Sequence, residues 1–274
     1  MKLIKKLLAL ALALAMTAAL AACGGSPAPA ETPSDSAAPA GSTAETPAAP
    51  GKTYLIATDT TFAPFEFQDA QGNFVGIDMD LLKAIAEDQG FQYEIQVLGF
   101  DASLQSVQSG QSDGMIAGMS ITDARREIFD FSEPYFDSGV VMGIKADNEE
   151  IKGYADLAGK NVAIKKGTEG AAFAESIMDE YGFTVTYFAD SSNMYEDVKA
   201  GNSAACFEDY PVLGYAISQD IGLKIVTEME RGNSYGFAVN KGQNPELIEM
   251  FDAGLQNLRD SGKYQEILDT YIKK

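Results

Sequence analysis

Within residues 114–135, GMIAGMSITDARREIFDFSEPY, an arginine stands where a helix start ordinarily favours an anion. The spacing predicts a short buried strand over 115–119, Thr122 as an N-cap, and a helix opening at Asp123 with Arg125 and Arg126 in its first turn. A cation there opposes the helix dipole. The mismatch becomes useful if a carboxylate is seated at that helix start, held jointly by the guanidinium fork, free backbone N–H groups and a small hydroxyl such as Ser120. Spacing alone leaves a second arrangement open, a solvated ion pair of Arg125 with Asp123 or Glu127.

Elements must position such a group, and the hydrophobic pattern supplies them. Strands are expected over 54–58, 93–97 and 115–119, with helices over 78–89 and 103–109 before the Asp123 helix. A second series has the same grammar: strands over 161–164, 184–188, 204–207 and 224–226, and helices over 169–181, 193–200 and 210–219. This is an α/β pattern with open sheets. The runs SGVVMGIK (138–145) and YGFAVN (235–240) read as strands crossing between two lobes. The segment 245–271 reads as helical, with Leu247, Phe251, Leu255 and Leu258 on one buried stripe. Open α/β sheets collect ligands beyond the carboxyl ends of their strands. That rule selects the segment 59–65, Phe100, the segment 120–125, the segment 165–169, and Glu208 with Asp209.

Composition narrows the function classes. The chain has no histidine and no tryptophan, which removes Ser-His and Cys-His catalysis and most zinc sites. No GxxxxGK[ST] phosphate loop occurs, and neither metal nor cofactor is expected. The 40 acidic residues outnumber the 20 basic ones, which argues against a nucleic-acid partner. Lys2, Lys5 and Lys6 precede an uncharged Leu/Ala run ending LAAC at Cys23. This reads as a signal peptide over 1–22, too short and too Ala-rich to span a membrane. Residues 24–50 are Ala, Pro, Ser, Thr and Gly with three acids, a composition that cannot bury enough surface to fold. It should act as a tether reaching about 80 Å at most. Cys206 is the only other cysteine, so no intrachain disulfide is expected once Cys23 is modified.

The end of the signal resembles the bacterial lipobox, which implies Cys23 as a lipid-modified first residue anchoring the chain at the outer face of the bacterial cytoplasmic membrane, or in the periplasm. Four further motifs in order, IATDTTFAPFEF, DAQGNFVGIDMDL, AGMSITDARREIFDFSEPY and KKGTEG, resemble the type II, family 3 solute-binding proteins of ABC importers, in particular the glutamine-binding and polar amino acid-binding members. The resemblance covers about 54–271. It implies a two-lobed clamp in which each lobe is an open, mostly parallel sheet flanked by helices. The expected organisation is 1–22 signal, 23–51 lipidated cysteine and tether, 52–136 plus 234–274 lobe 1, and 137–233 lobe 2. Two hinge strands are expected near 136–139 and 233–236.

Carried over residue by residue, the resemblance implies that Arg125 binds a ligand α-carboxylate, with Ser120 and the Gly118 backbone as its neighbours. Asp209 would accept the α-ammonium, Phe62 and Phe100 would wall the aliphatic part, and Asp59 and Lys165 would face the side chain. Thr168 and Glu169 fall in the loop that offers hydroxyl and N–H groups to the carboxylate. Bland alternatives stay open: core packing for both aromatics, a turn for Asp59, a solvated Lys165–Lys166 pair, and a helix cap for Asp209. Glu208 stands where the glutamine-binding pattern has histidine, and Glu169 where it has glycine. Both are expected to add negative charge at the pocket rim. If Lys165 neutralises one of these acids, Asp59 remains to accept an amide N–H, which suits glutamine or asparagine; if not, arginine or lysine fits better. The expected role is a monomeric, non-enzymatic carrier delivering a polar amino acid to a permease. A cyclohexadienyl dehydratase-like enzyme, with Glu208 or Glu169 as its acid, and an amino acid sensor are the rival readings.

Overall fold

Parallel strands need crossover connections, and the helices of this chain supply them in two sets. The computed structural model describes residues 51–272; the expected signal peptide, Cys23 and nearly all of the tether lie outside the described residues. In chain order the first set is β1 (Thr53–Thr58), the hairpin β2 (Phe67–Gln68) and β3 (Phe74–Val75), α1 (Ile77–Gln89), β4 (Gln92–Val97), α2 (Phe100–Gln108), β5 (Gly114–Met115), α3 (Asp123–Arg126) and β6 (Phe129–Phe131). The crossing strand β7 (Phe136–Lys145) follows, then β8 (Asn161–Lys165), α4 (Glu169–Tyr181), β9 (Thr184–Phe188), α5 (Ser191–Ala200), β10 (Ala205–Asp209), α6 (Tyr210–Ser218) and β11 (Leu223–Ile225). The chain returns through β12 (Glu230–Tyr235) and β13 (Ala238–Asn240) to α7 (Pro245–Ser261) and α8 (Lys263–Tyr271).

Two sheets result, ordered β4-β1-β5-β13-β6 and β11-β7-β10-β8-β9. Each has a parallel portion, β4-β1-β5 in one and β10-β8-β9 in the other. The crossing and returning strands add antiparallel pairs, so both sheets are mixed. β12 runs antiparallel along β7, pairing Tyr235 with Phe136 and Asn233 with Ser138, so the two expected hinge segments lie side by side. Each sheet has its own core. Ile56, Leu81, Leu82, Phe251 and Leu255 pack on the first, and Val140, Ile164, Ala174 and Phe207 on the second. Full burial of each large side chain contributes about 1.5–3 kcal/mol.

Several elements differ from expectation. The strand expected over 115–119 stops at Met115, because Gly118 turns the chain at φ 52°. The helix expected from Ser103 begins at Phe100, where Gly99 at φ 90° admits the turn. The single strand expected over 235–240 divides after Tyr235, and the helical segment 245–271 breaks at Gly262.

Candidate functional site

Arg125 owes its position to a helix of four residues. The Thr122 hydroxyl caps α3 by accepting the Arg125 N–H at 3.2 Å, and the guanidinium turns inward. One nitrogen donates to the Ser120 carbonyl at 2.8 Å and another to the Gly167 carbonyl, on the opposite sheet's loop, at 3.0 Å. It lies 5.3 Å from the Phe100 ring centroid. Neither Asp123 nor Glu127 pairs with it; the nearest carboxylate is Glu169 at 4.0 Å. The solvated local ion pair is therefore not the arrangement found. Burial holds the guanidinium below its ordinary pKa, against the opposing charges of Glu169 and Asp209.

Gly118 and Ser120 form the turn beside this arginine. At Gly118 a Cβ would stand 2.3 Å from Phe62 Cε1, so only glycine fits. Its N–H is committed to Asp78 Oδ2 at 2.8 Å, which leaves its carbonyl for a ligand. Ser120 is buried, bridged to Tyr235 and holds Arg125 through its carbonyl.

Asp209 ends β10 and precedes α6, yet its side chain does not cap that helix. Oδ2 accepts the Tyr235 hydroxyl at 2.6 Å, and Oδ1 is buried with no partner. An orphaned carboxylate oxygen in the interior is costly unless a donor arrives. Burial first, and then the charge of Glu208, push the Asp209 carboxyl up to about 7, against the Tyr235 hydroxyl and Arg125.

Phe62 and Phe100 are both buried and packed in hydrophobic clusters, as the core alternative required, and each ring also lies near a cation. Lys165 is itself fully buried, with its ammonium 4.8 Å from the Phe62 centroid and 6.0 Å from that of Phe100. It forms an ion pair with Asp59, so the acid expected to remain for a ligand amide is the one Lys165 engages, and the Lys165 Nζ is 3.4 Å from Ser191 Oγ. Burial alone would lower the Lys165 pKa; the charges of Asp59 and Glu208 outweigh it and raise the value. Asp59 also serves the turn, accepting the Thr60 N–H at 2.6 Å. Lys166, by contrast, is exposed and paired with Asp101 at 2.8 Å, so the two lysines do not form a solvated pair.

Glu208 is interior rather than on the rim. Its carboxylate accepts Ser191 Oγ at 2.8 Å, the Tyr195 hydroxyl at 3.1 Å and the Asp209 N–H at 3.0 Å. The Thr168 hydroxyl is engaged too, donating to the Lys165 carbonyl and accepting the Ala171 N–H as cap of α4. What α4 can offer an anion is the backbone of its first turn. Glu169 lies there, its side chain mostly covered.

Sequence reasoning missed Ser191 and Tyr195, four apart on one face of α5, and Tyr235 on the return strand. The first pair carried a signal in its spacing. Tyr235 carried none apart from its partners, Ser138 Oγ at 3.0 Å and Asp209. A cavity of about 440 Å³ opens beside Ser191 and Tyr195, bounded opposite by Thr60, Thr61 and Phe67. Among the described residues no cluster suited to a metal ion occurs.

Known proteins resemble this chain in sequence and fold. An arginine-binding periplasmic protein of Mannheimia haemolytica is 30% identical over 80% of this chain and 90% of its own length. The second substrate-binding domain of Lactococcus lactis GlnP, solved in an open conformation, is 45% identical over 83% of this chain and 99% of that one, with a TM-score of 0.58. An ancestral arginine-binding protein bound to glutamine is 36% identical over 81% and 98%, with a TM-score of 0.75. Residues 54–274 match the model of the bacterial extracellular solute-binding proteins, family 3, and with a two-lobed type II periplasmic-binding-protein fold the chain belongs to that family.

Proposed function

We propose that this chain captures a polar L-amino acid, glutamine foremost, by closing two lobes over it, and delivers it to the permease of an ABC importer. The lobes would be 52–136 with 234–274, and 137–233. The observation that carries the reading is the charge pair facing the cleft from opposite lobes. Arg125 is free to exchange two carbonyl acceptors for a carboxylate, and Asp209 holds a buried oxygen with no donor. A zwitterionic backbone satisfies both at once, and only when the lobes are shut.

Lys165 supports glutamine over a basic amino acid. A resident ammonium between Phe62 and Phe100, paired with Asp59, repels a second cation. The basic reading has support of its own in the named function of the Mannheimia relative and in the acids Asp59 and Glu208. An enzymatic reading finds little here, since Glu208 is occupied by three donors. The closeness of fit to a ligand-bound relative, above that to a more similar chain in its open form, agrees with closed lobes in this structure. Anchoring through lipidated Cys23 belongs to the same proposal, on the strength of the LAAC motif.

Titration calorimetry with all common L-amino acids tests the ligand. Glutamine should bind tightest, with arginine and lysine much weaker; preferred binding of arginine would replace glutamine by the second reading. Replacing Cys23 by serine should release the chain from membranes; continued membrane association would remove the anchor.

A further inference from the structure

Arg231 lies outside every contact assigned to the amino acid, yet the chain holds it at a conformational cost. Its φ of 45° is in the left-handed region, unusual for a non-glycine residue, at an irregularity of β12 between Glu230 and Asn233. The bend lays its side chain along α4. The guanidinium stands 5.3 Å from the Phe173 ring, donates to Ser176 Oγ at 3.0 Å, and approaches Glu169 Oε2 at 3.8 Å. Glu169, Phe173 and Ser176, spaced by four and three residues, form one helix face, so Arg231 spans that face to its first turn.

The other oxygen of Glu169 faces Arg125. Glu169 is the only carboxylate within 4.0 Å of the Arg125 guanidinium among the described residues. It therefore stands beside the position a ligand carboxylate must take, and carries the same charge. Unopposed, it would compete for Arg125 and repel the incoming anion. Arg231 offers it an alternative partner, on the side away from the cleft.

We propose that Arg231 is a positioning residue for ligand binding: it draws the Glu169 carboxylate off Arg125 and so clears the carboxylate subsite. The inference rests on the amino acid reading above and concerns the same site. Arg125 donates to two carbonyls, and Glu169 stands off it at 4.0 Å. On binding, the amino acid's carboxylate takes the place of those carbonyls, and Glu169 is taken up wholly by Arg231.

The test is titration calorimetry with L-glutamine, and in parallel L-arginine, on the full chain and four variants. Arg231→Gln should weaken binding on the order of tenfold, the scale of a charge pair next to a buried ligand group. Arg231→Lys, which keeps the charge, should stay near wild type. Glu169→Gln should bind at least as tightly as wild type, and adding it to Arg231→Gln should restore binding to within about threefold of Glu169→Gln alone. Melting temperatures of the same variants separate out a structural role, which would move stability and affinity together, whereas the proposal expects the affinity change without a matching change in stability. The proposal is overturned if the double variant stays as weak as Arg231→Gln, or if Glu169→Gln alone loses tenfold. That second criterion stands even if Arg231→Gln fails to fold. If the wild-type chain binds neither amino acid, the amino acid reading falls and this proposal with it; wild-type binding without the rescue removes this proposal alone.

Discussion

Asp209 should give the site a measurable pH response. Its carboxyl, pushed up to about 7 by burial and by Glu208, must be ionised to accept an α-ammonium, so affinity for glutamine should fall as pH drops below that value. The stability of the empty protein runs the other way. A carboxyl whose folded pKa is raised contributes stability below its unfolded pKa, near 3.9, and loses it as pH rises through the folded one. Asp78, raised to about 6 by burial, adds to the same trend. The melting temperature of the empty protein should therefore decline between about pH 4 and 7.5, while the increment from glutamine grows. Calorimetry and thermal melts across that range check both, and a glutamine increment that is flat in pH would remove Asp209 as the ammonium acceptor. Arg125→Ala removes the fixed fork that directs the carboxylate. It should weaken every amino acid by at least about 30-fold, the 2–5 kcal/mol scale of a buried charge partner; undiminished binding would refute the carboxylate subsite. The inward guanidinium was legible at this scale, because a cation at a helix start is an electrostatic oddity visible in five residues. The interior place of Glu208 was not, since Ser191 and Tyr195, which hold it there, lie 17 and 13 positions away.

Elements set these residues through a few backbone turns. The turn at Gly118 precedes Ser120, whose carbonyl accepts from Arg125, and Phe62 packs where a Gly118 Cβ would be. Gly118→Ala combines that overlap with a left-handed φ, so it should destabilise the fold by roughly 1–3 kcal/mol and displace Phe62 from the cleft. Thermal denaturation measures the first effect and glutamine affinity the second; a variant unchanged in both would show that the turn does not position the wall. The expected strand over 115–119 failed here for a local reason, the conformation of one glycine. The short length of α3 has a distant cause. Its continuation is cut off because Phe129–Phe131 pair with Ala238–Asn240, more than 100 residues later. Periodicity shows which segments pair in general but not which partner overrides a helix, and the split of the 235–240 run between two sheets escaped for the same reason.

At the scale of the whole chain, contacts between the two sheets' loops include Lys165 to Asp59, Arg125 to the Gly167 carbonyl and to Glu169, and Lys166 to Asp101. Of these only the first is fully buried, so under the clamp reading proposed above it should weigh most on closure. Residues 106 positions apart meet there, a pairing absent from the sequence reading, which places both groups toward a ligand side chain and leaves Asp59 free. Lys165→Met keeps a similar volume and removes the charge. Asp59 is then left buried without its partner, a loss of about 3–5 kcal/mol borne only by the closed form, because opening returns the carboxylate to water. The empty variant should shift toward open, seen as a larger radius of gyration in solution scattering. The same change replaces a resident cation by a vacant anionic position between Phe62 and Phe100. Glutamine should then bind more weakly and arginine more tightly, narrowing their affinity ratio at least tenfold. A variant as compact as wild type and with the same ratio would mean that Lys165 neither closes the cleft nor excludes a basic side chain; the preference for glutamine would then need another source.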